Sequence, residues 1–484
     1  MRELEIPQSV RLAIQSRLGN LPSSVQEVLS FASILGRQFD FELLAQASAR
    51  PEDELIDALE TSIAAQLVEE ASSARGGTYR YTHALIPPIL SEALSIPRRR
   101  RYHRQVLAAL EALRPGDLES LAYHALESGD LVKGATYSLH AARKAYKLYA
   151  LEEAKRHAFH AHEAIEELDD PQLVVEIHEL LGDIHLLRGA YGVCQEAYLW
   201  AIKLNQEELK RPVLNSKLGL AYTWSGDARG LEYLRAAIDQ ADPQTQATVR
   251  AHAIAGIGRY HHYSGQLNHA IEHLEQAYAI AETSQDPLLL TNIYSFLAGA
   301  YQHLAEYERS IEWSRRLMEL GEQLKSPLAV AIGNEFLAED FFGLGRWQEA
   351  IRHAVQDRDI GVKIGALDRV AWGELSIAYA NYGLGDLSKA APAAQSSLEL
   401  AEQNDEIRLA ILAGSIVSLI QMDMGQVEAA LEAARLSHQR GVELGQVFMF
   451  AAGNHALAYY HGMQGNWEEA RQLMDAVEAI RSST

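Results

Sequence analysis

The stretch that decides the fold is residues 327–386, PLAVAIGNEFLAEDFFGLGRWQEAIRHAVQDRDIGVKIGALDRVAWGELSIAYANYGLGD. Gly345 and Gly385 stand 40 residues apart in it; five residues after each comes a small residue, Ala350 and Ala390, and seven before each comes another, Ala338 and Ala378. An aliphatic residue, Leu337 or Ile377, precedes the latter. Outward from this stretch the same pattern repeats at Gly265, Ala305, Gly425 and Gly465, with Ala270, Ser310, Ala430 and Ala470 after them. Gly258, Ala298, Ser418 and Ala458 come before them, behind Ile257, Leu297, Val417 and Leu457. A fixed period of this length is the mark of stacked helix-turn-helix units, an α-solenoid that presents a surface.

Each unit reads as two amphipathic helices around a turn that is followed by a polar and then a large residue: Gln266-Leu267, Arg346-Trp347, Asp386-Leu387, Gln426-Val427, Asn466-Trp467. The glycine reverses the backbone at little steric cost, and the polar residue is expected to cap the second helix. The small slots let the two helices of a unit approach closely. Asp286-Pro287 and Ser326-Pro327 mark breaks between units, because the residue before proline disfavours the helical region.

These residues resemble the tetratricopeptide repeat (TPR) in its longer form, found in signalling ATPases and large transcriptional activators, over roughly residues 117–484. Two earlier turns fit less tightly, Gly189 with Cys194 and Gly226 with Gly230, and the step from Gly129 to Tyr149 is half a unit, so eight to ten units are expected. The resemblance implies a right-handed superhelix with the first helix of each unit on its concave side. Arg259, His262, Asn292, Gln302, Glu335, Glu339, Phe342, Trp372, Tyr379, Tyr382 and Tyr459 fall at its groove positions. An aromatic and polar groove of this kind suits a protein, a peptide or a small sugar-like effector; packing between units is the competing role for these residues.

The chain has 484 residues and a net charge of −22, too long for one ordinary core. Residues 1–115 hold 13 Arg and no Lys against 14 acidic residues, so the negative charge belongs to the repeats and disfavours nucleic acid there. There is no apolar run of membrane-spanning length and no apolar signal core at MRELEIPQSV, and a cytoplasmic protein is expected. The single cysteine, Cys194, sits in a small-residue slot and reads as a packing residue.

Before the repeats the pattern changes. VQEVLSFASILG, FDFELLAQAS and PEDELIDALETSIAAQ predict three helices, and LVEE and TYRY predict two short strands joined by ASSARGG. Three helices and a β-hairpin make a winged helix, so the expected organisation is a winged-helix domain over 1–115, atypical lead-in helices over 116–170 and repeats over 171–484. The third helix carries Glu52, Asp53, Glu54, Asp57 and Glu60 with no base, which argues against its reading a DNA major groove. Arg98, Arg99, Arg100, Arg101 and Arg104 form the concentrated basic patch, a solvated face or a seat for phosphate.

IPQSVRLAIQSRLGNLPSSVQEVLSFASILGRQFDFELL, YRYTHALIPPILSEAL and RRRRYHRQVLAALEAL resemble the winged helix that follows the nucleotide-binding core of signal-transducing STAND ATPases. The resemblance implies a histidine that senses bound ADP; His83 takes that place, with Thr82 and Ala84 where the family has Met and Asp. No G-x-x-x-x-G-K-[ST] occurs, so ADP or ATP would belong to an ATPase domain of a parent protein, in cis or in trans, and this chain itself is expected to need no cofactor. The expectation is a non-enzymatic sensor whose superhelix binds an effector or partner and regulates an N-terminal switch, with a cyclase-like output favoured by the chain order. A DNA-associated transcriptional regulator acting through the basic patch and a stand-alone TPR scaffold are the alternatives.

No catalytic constellation emerges. His269 and His273 have metal-ligand spacing, with His261 and His262 on the preceding helix, but no H-E-x-x-H or paired-cysteine motif accompanies them, and no metal is expected. G-x-S-x-G is likewise absent from the sequence.

Overall fold

The computed structural model describes Ile14 and residues 16–71, 77–148, 150–165, 170–188, 190–284 and 286–483. The expected turns at Gly189 and Tyr149 and most of ASSARGG lie outside the described residues. Contacts divide the chain into two compact units, Met1–Gln206 and Glu207–Thr484.

The first unit begins with α1 (Ser23–Leu35), β1 (Gln38–Asp40), α2 (Phe41–Ser48), α3 (Glu52–Ala64), β2 (Val68–Glu70) and β3 (Thr78–Tyr81). The strands form an antiparallel sheet in the order β1-β3-β2, with Phe39 opposite Tyr79 and Glu69 opposite Arg80. Tyr81 ties sheet to helix: it is fully buried, and its hydroxyl donates to the Leu29 carbonyl at 2.6 Å. A buried phenol needs such an acceptor, which fixes β3 against α1. Asp40 ends β1 and caps α2 by accepting from the Leu43 N–H at 2.9 Å, the N-terminal arrangement that short acidic side chains favour. There follow α4 (Ile86–Glu92), α5 (Ile96–Leu113), α6 (Leu118–Ser128), α7 (Leu131–Lys147), α8 (Leu151–Ile165), α9 (Pro171–Leu187) and α10 (Tyr191–Leu204), each of the last four packing on its predecessor.

The second unit is made of helix pairs: α11 (Arg211–Trp224) with α12 (Arg229–Gln240), α13 (Ala247–Tyr263) with α14 (Leu267–Ser284), and α15 (Pro287–His303) with α16 (Tyr307–Gln323). After these come α17 (Pro327–Gly343) with α18 (Trp347–Ile364), α19 (Leu367–Gly383) with α20 (Leu387–Gln403), α21 (Ile407–Asp423) with α22 (Val427–Leu444), and α23 (Val447–Met463) with α24 (Trp467–Ser483). The turns within pairs fall where the spacing predicts them. Gly265, Gly345, Gly385, Gly425 and Gly465 adopt φ of 71° to 78°, and Ala305 takes the same left-handed region at 59°. The polar residue after the turn does not cap the next helix with its side chain at Arg346, Asp386 or Gln426, contrary to expectation. Its backbone N–H instead reaches back to the first helix, Arg346 to the Phe341 carbonyl at 2.8 Å and Asp386 to that of Asn381 at 2.9 Å. This is a Schellman closure, which satisfies the carbonyls left open at a helix end.

Between pairs, Pro287 and Pro327 open their helices at N1 with Asp286 and Ser326 as caps, accepting from Leu289 and Ala329. The small slots are buried: Ala298, Ala338, Ala378 and Ser418 are at most 1% exposed, as are Ala270, Ser310, Ala350, Ala390 and Ala430. At Gly258 a Cβ would come within 2.8 Å of Leu274 and 3.1 Å of the Ala270 carbonyl, so the approach there admits only hydrogen. Cys194, on α10, is fully buried.

Candidate groove of the second unit

In the second unit each first helix packs on the first helix of the next pair as well as on its own partner, so α11, α13, α15, α17, α19, α21 and α23 form one continuous inner layer. That layer meets itself. Arg408 at the start of α21 donates to the Tyr263 hydroxyl at the end of α13, 3.0 Å away, and Phe448 of α23 lies between His262 and His303, with ring centroids 5.9 and 3.9 Å off. Arg408 with Tyr263 and Phe448 with His303 each join a first helix to the one four pairs later, and Phe448 with His262 spans five, so one turn of the coil takes four to five pairs and encloses the inner face.

The predicted groove residues divide on this surface. Glu335, Glu339 and Phe342 share one face of α17 at i, i+4 and i+7, and Trp372, Tyr379 and Tyr382 share the facing side of α19, all but Glu335 half-buried. The rings of Phe342 and Tyr379 are 5.7 Å apart. Tyr382 and Tyr459 both donate to Asp423, at 2.8 and 2.7 Å, which clamps the ends of three successive inner helices. His262 is 7% exposed, and burial, then His303, lower its pKa to about 3. Arg259 is not part of this group: it is buried between α11 and α13, over the Trp224 ring at 4.0 Å, and donates to Thr223 at 2.7 Å and to the Leu220 carbonyl. Asn292 is exposed.

The unusual feature is buried acid. Arg369 pairs with Glu335 in a nearly dry setting, and Asp357, fully buried, has neither carboxylate oxygen hydrogen-bonded. Burial raises the Asp357 pKa, Arg369 opposes it and Glu335 adds to it. Asp340 is also fully buried; its Oδ2 accepts from Ser310 at 2.7 Å while Oδ1 has no partner, and burial holds its pKa up at about 7. Next to it Glu339 lies deep among protein atoms but keeps part of its surface open to the groove, and burial, then Glu335, then Asp340 raise its pKa. Gln302 faces both Glu339 and Asp340. Desolvating a carboxylate without a cation is costly, and such clusters concentrate where a protein binds something. The spacing of groove positions found Glu335 and Glu339; Asp340 and Asp357 had no signal, because acidic residues are common on these helices.

Sites expected in the first unit are placed as follows. His83 is exposed in the turn after β3, its Nδ1 accepting from the Leu85 N–H at 3.2 Å. Arg98, Arg100, Arg101 and Arg104 are exposed on α5, whereas Arg99 faces a cavity of 560 Å³ that it lines with His103, Tyr123 and His124. His103 and His124 are buried with their Nδ1 atoms 3.0 Å apart; burial is the largest cause that lowers their pKa values to about 4 and about 3. Sequence reasoning missed this pair because its members are 21 residues apart in a region without a repeat. Among the described residues, one set of possible metal ligands converges, Glu119, Glu153 and His157. The rings of His269 and His273 approach His261, at 5.6 and 5.3 Å.

No protein-family model matches the chain. No curated protein matches it. Among solved structures it is similar to a Signal Transduction ATPase with Numerous Domains (STAND) protein with a tetratricopeptide repeat sensor from Pyrococcus horikoshii. The TM-score is 0.57 at 15% identity, over 91% of this chain and 67% of that one. It is similar as well to a Rap protein complexed with Competence and Sporulation Factor, with TM-score 0.54 and 12% identity over 72% of this chain and 98% of the other. The apo form of RapI gives 0.50 at 13% identity, over 72% and 97%. At these identities the likeness is one of fold, and the fold resembles that of TPR solenoids.

Proposed function

We propose that this chain is the sensor and interaction part of a STAND-type signalling protein, a winged helix followed by a TPR superhelix of 40-residue units that binds a protein or peptide in the groove of its second unit. The observation that carries the reading is the enclosed inner layer where the Phe342 and Tyr379 rings meet beside half-open Glu339. Aromatic rings with deep polar groups suit an extended peptide, whose side chains stack while its amides find donors and acceptors. The order helix, strand, helix, helix, strand, strand at the start of the chain supports the winged-helix part, and the likeness to a STAND protein over most of this chain supports the setting. In that setting effector capture biases an N-terminal ATPase switch, His83 faces its nucleotide, and the switch controls an N-terminal, cyclase-like output. Binding alone supplies the energy for such a switch, so no catalytic group is required of this chain.

The test is selection of a displayed random 12-residue peptide library on the full chain. Enrichment that disappears on a Tyr379→Ala, Phe342→Ala variant of unchanged circular dichroism is the expected result. Absence of enrichment, or equal enrichment on the variant, overturns the groove reading.

A further inference from the structure

We infer that the groove selects a cationic group, the guanidinium or ammonium of a basic peptide, and that Glu339 receives it between the rings of Tyr379 and Phe342. The inference rests on the groove reading above and specifies its ligand. Four carboxyl groups, Glu335, Glu339, Asp340 and Asp357, are collected around the meeting of α17, α18 and α19, and one guanidinium, Arg369, is placed among them. That guanidinium is committed: it is nearly buried, bonded to Glu335 and adjacent to Asp357. Ser310 serves one oxygen of Asp340, and the other, on a fully buried side chain, has no partner. The charged and polar groups that face Glu339 are Glu335, Asp340, Gln302, the Tyr379 hydroxyl and, more weakly than Gln302, Arg369, so a neutral amide is its main support.

Of these acids Glu339 alone keeps surface toward the groove, since the others are at most 9% exposed. A carboxylate in that position is starved of cation, and a ligand that brings one regains what burial cost. The aromatic neighbours add to the same preference, because a cation beside a ring face is attracted by the ring quadrupole. An anionic ligand would meet like charge with no relief. The arrangement also makes capture depend on protons: burial and its acidic neighbours hold the Glu339 carboxyl protonated to higher pH than an ordinary glutamate, so a cation must drive a proton off.

Two fluorescent, end-capped hexapeptide libraries test this, one with arginine fixed at the third position and the other with the isosteric, uncharged citrulline there, the remaining positions randomised identically without Lys or Arg. Fluorescence anisotropy with the full chain should give about tenfold tighter binding of the arginine library at pH 8. Glu339→Gln should erase the difference, and the advantage should shrink as pH falls to 6. Glutamine keeps the shape and the Gln302 contact, and circular dichroism establishes that the variant folds. Equal binding of both libraries, lost in Tyr379→Ala, overturns the cation preference and leaves the groove reading standing. An arginine advantage that survives Glu339→Gln overturns the role of Glu339, and no binding of either library overturns both.

Discussion

The ring of Phe448 lies 3.9 Å, centroid to centroid, from that of His303, although α23 follows α15 by four helix pairs. Repeat arrays are usually held by nearest-neighbour contacts alone. Here one side chain joins distant pairs, and Arg408 with Tyr263 does the same one pair earlier.

Removing this bridge should loosen the coil without unfolding its pairs. Phe448→Ala is expected to cost about 1–3 kcal/mol, less than a fully buried phenylalanine because the ring is half open. Hydrogen exchange should quicken at the end of α13 and the start of α23 and stay unchanged in α17. Uniform loss of protection throughout the second unit would show that the contact belongs to global stability instead.

Ala305 occupies the turn slot that Gly345 and Gly385 fill in the units after it, at φ 59°. An alanine there pays a steric penalty that glycine does not, so Ala305→Gly should stabilise the protein by about 1 kcal/mol. The measurement is the midpoint of urea unfolding, which should rise with unchanged slope. A fall in midpoint would mean that Ala305 makes compensating contacts.

The period read from sequence located these turns and the small slots behind them, because each is a local requirement repeated six times. Helical spacing likewise makes it legible that Glu335, Glu339 and Phe342 share one side of α17. What spacing did not reveal is long-range: Phe448 against His303, Arg408 against Tyr263, the guanidinium of Arg369 on α19 shared by acids on α17 and α18. Such contacts depend on the pitch of the coil, which no single unit encodes. For Arg259 the packing role is the one its surroundings show, since α13 turns it toward α11 and the Trp224 ring.

Gly230 shows how closely paired helices run. A Cβ there would lie 2.6 Å from the Gly219 carbonyl oxygen and 3.0 Å from the Thr223 nitrogen, both backbone atoms that cannot swing aside. Gly230→Ala should therefore destabilise by about 1–3 kcal/mol through separation of α11 and α12. Thermal unfolding checks it, and Gly192→Ala, where no atom lies within 4 Å of the added methyl, is the control.

The His103 and His124 pair predicts a pH dependence of the first unit. Both rings are held neutral by burial, with pKa values near 4 and 3 against 6.5 when unfolded. Between those values the unfolded chain binds more protons, so stability rises with pH, and acidification from pH 6.5 toward 4 should weaken the unit. His124→Phe should flatten the dependence measured by unfolding at stepped pH. An unchanged slope would mean that other groups govern it.

Asp340 predicts the opposite sign in the second unit. Its folded pKa is raised from 3.8 to about 7, chiefly by burial, so between those values the folded chain holds the extra proton. Stability contributed by the protonated acid is full below pH 3.8 and declines as pH climbs toward 7. Asp340→Asn keeps the shape and the contact with Ser310 but removes the ionisation. The variant should match the parent near pH 4 and exceed its stability at pH 8 by a few kcal/mol, read from urea midpoints at the two pH values. A variant weaker at both would show that the charged carboxylate itself is stabilised in the fold, and that the cluster around Glu339 is less starved of positive charge than its unpaired oxygens indicate.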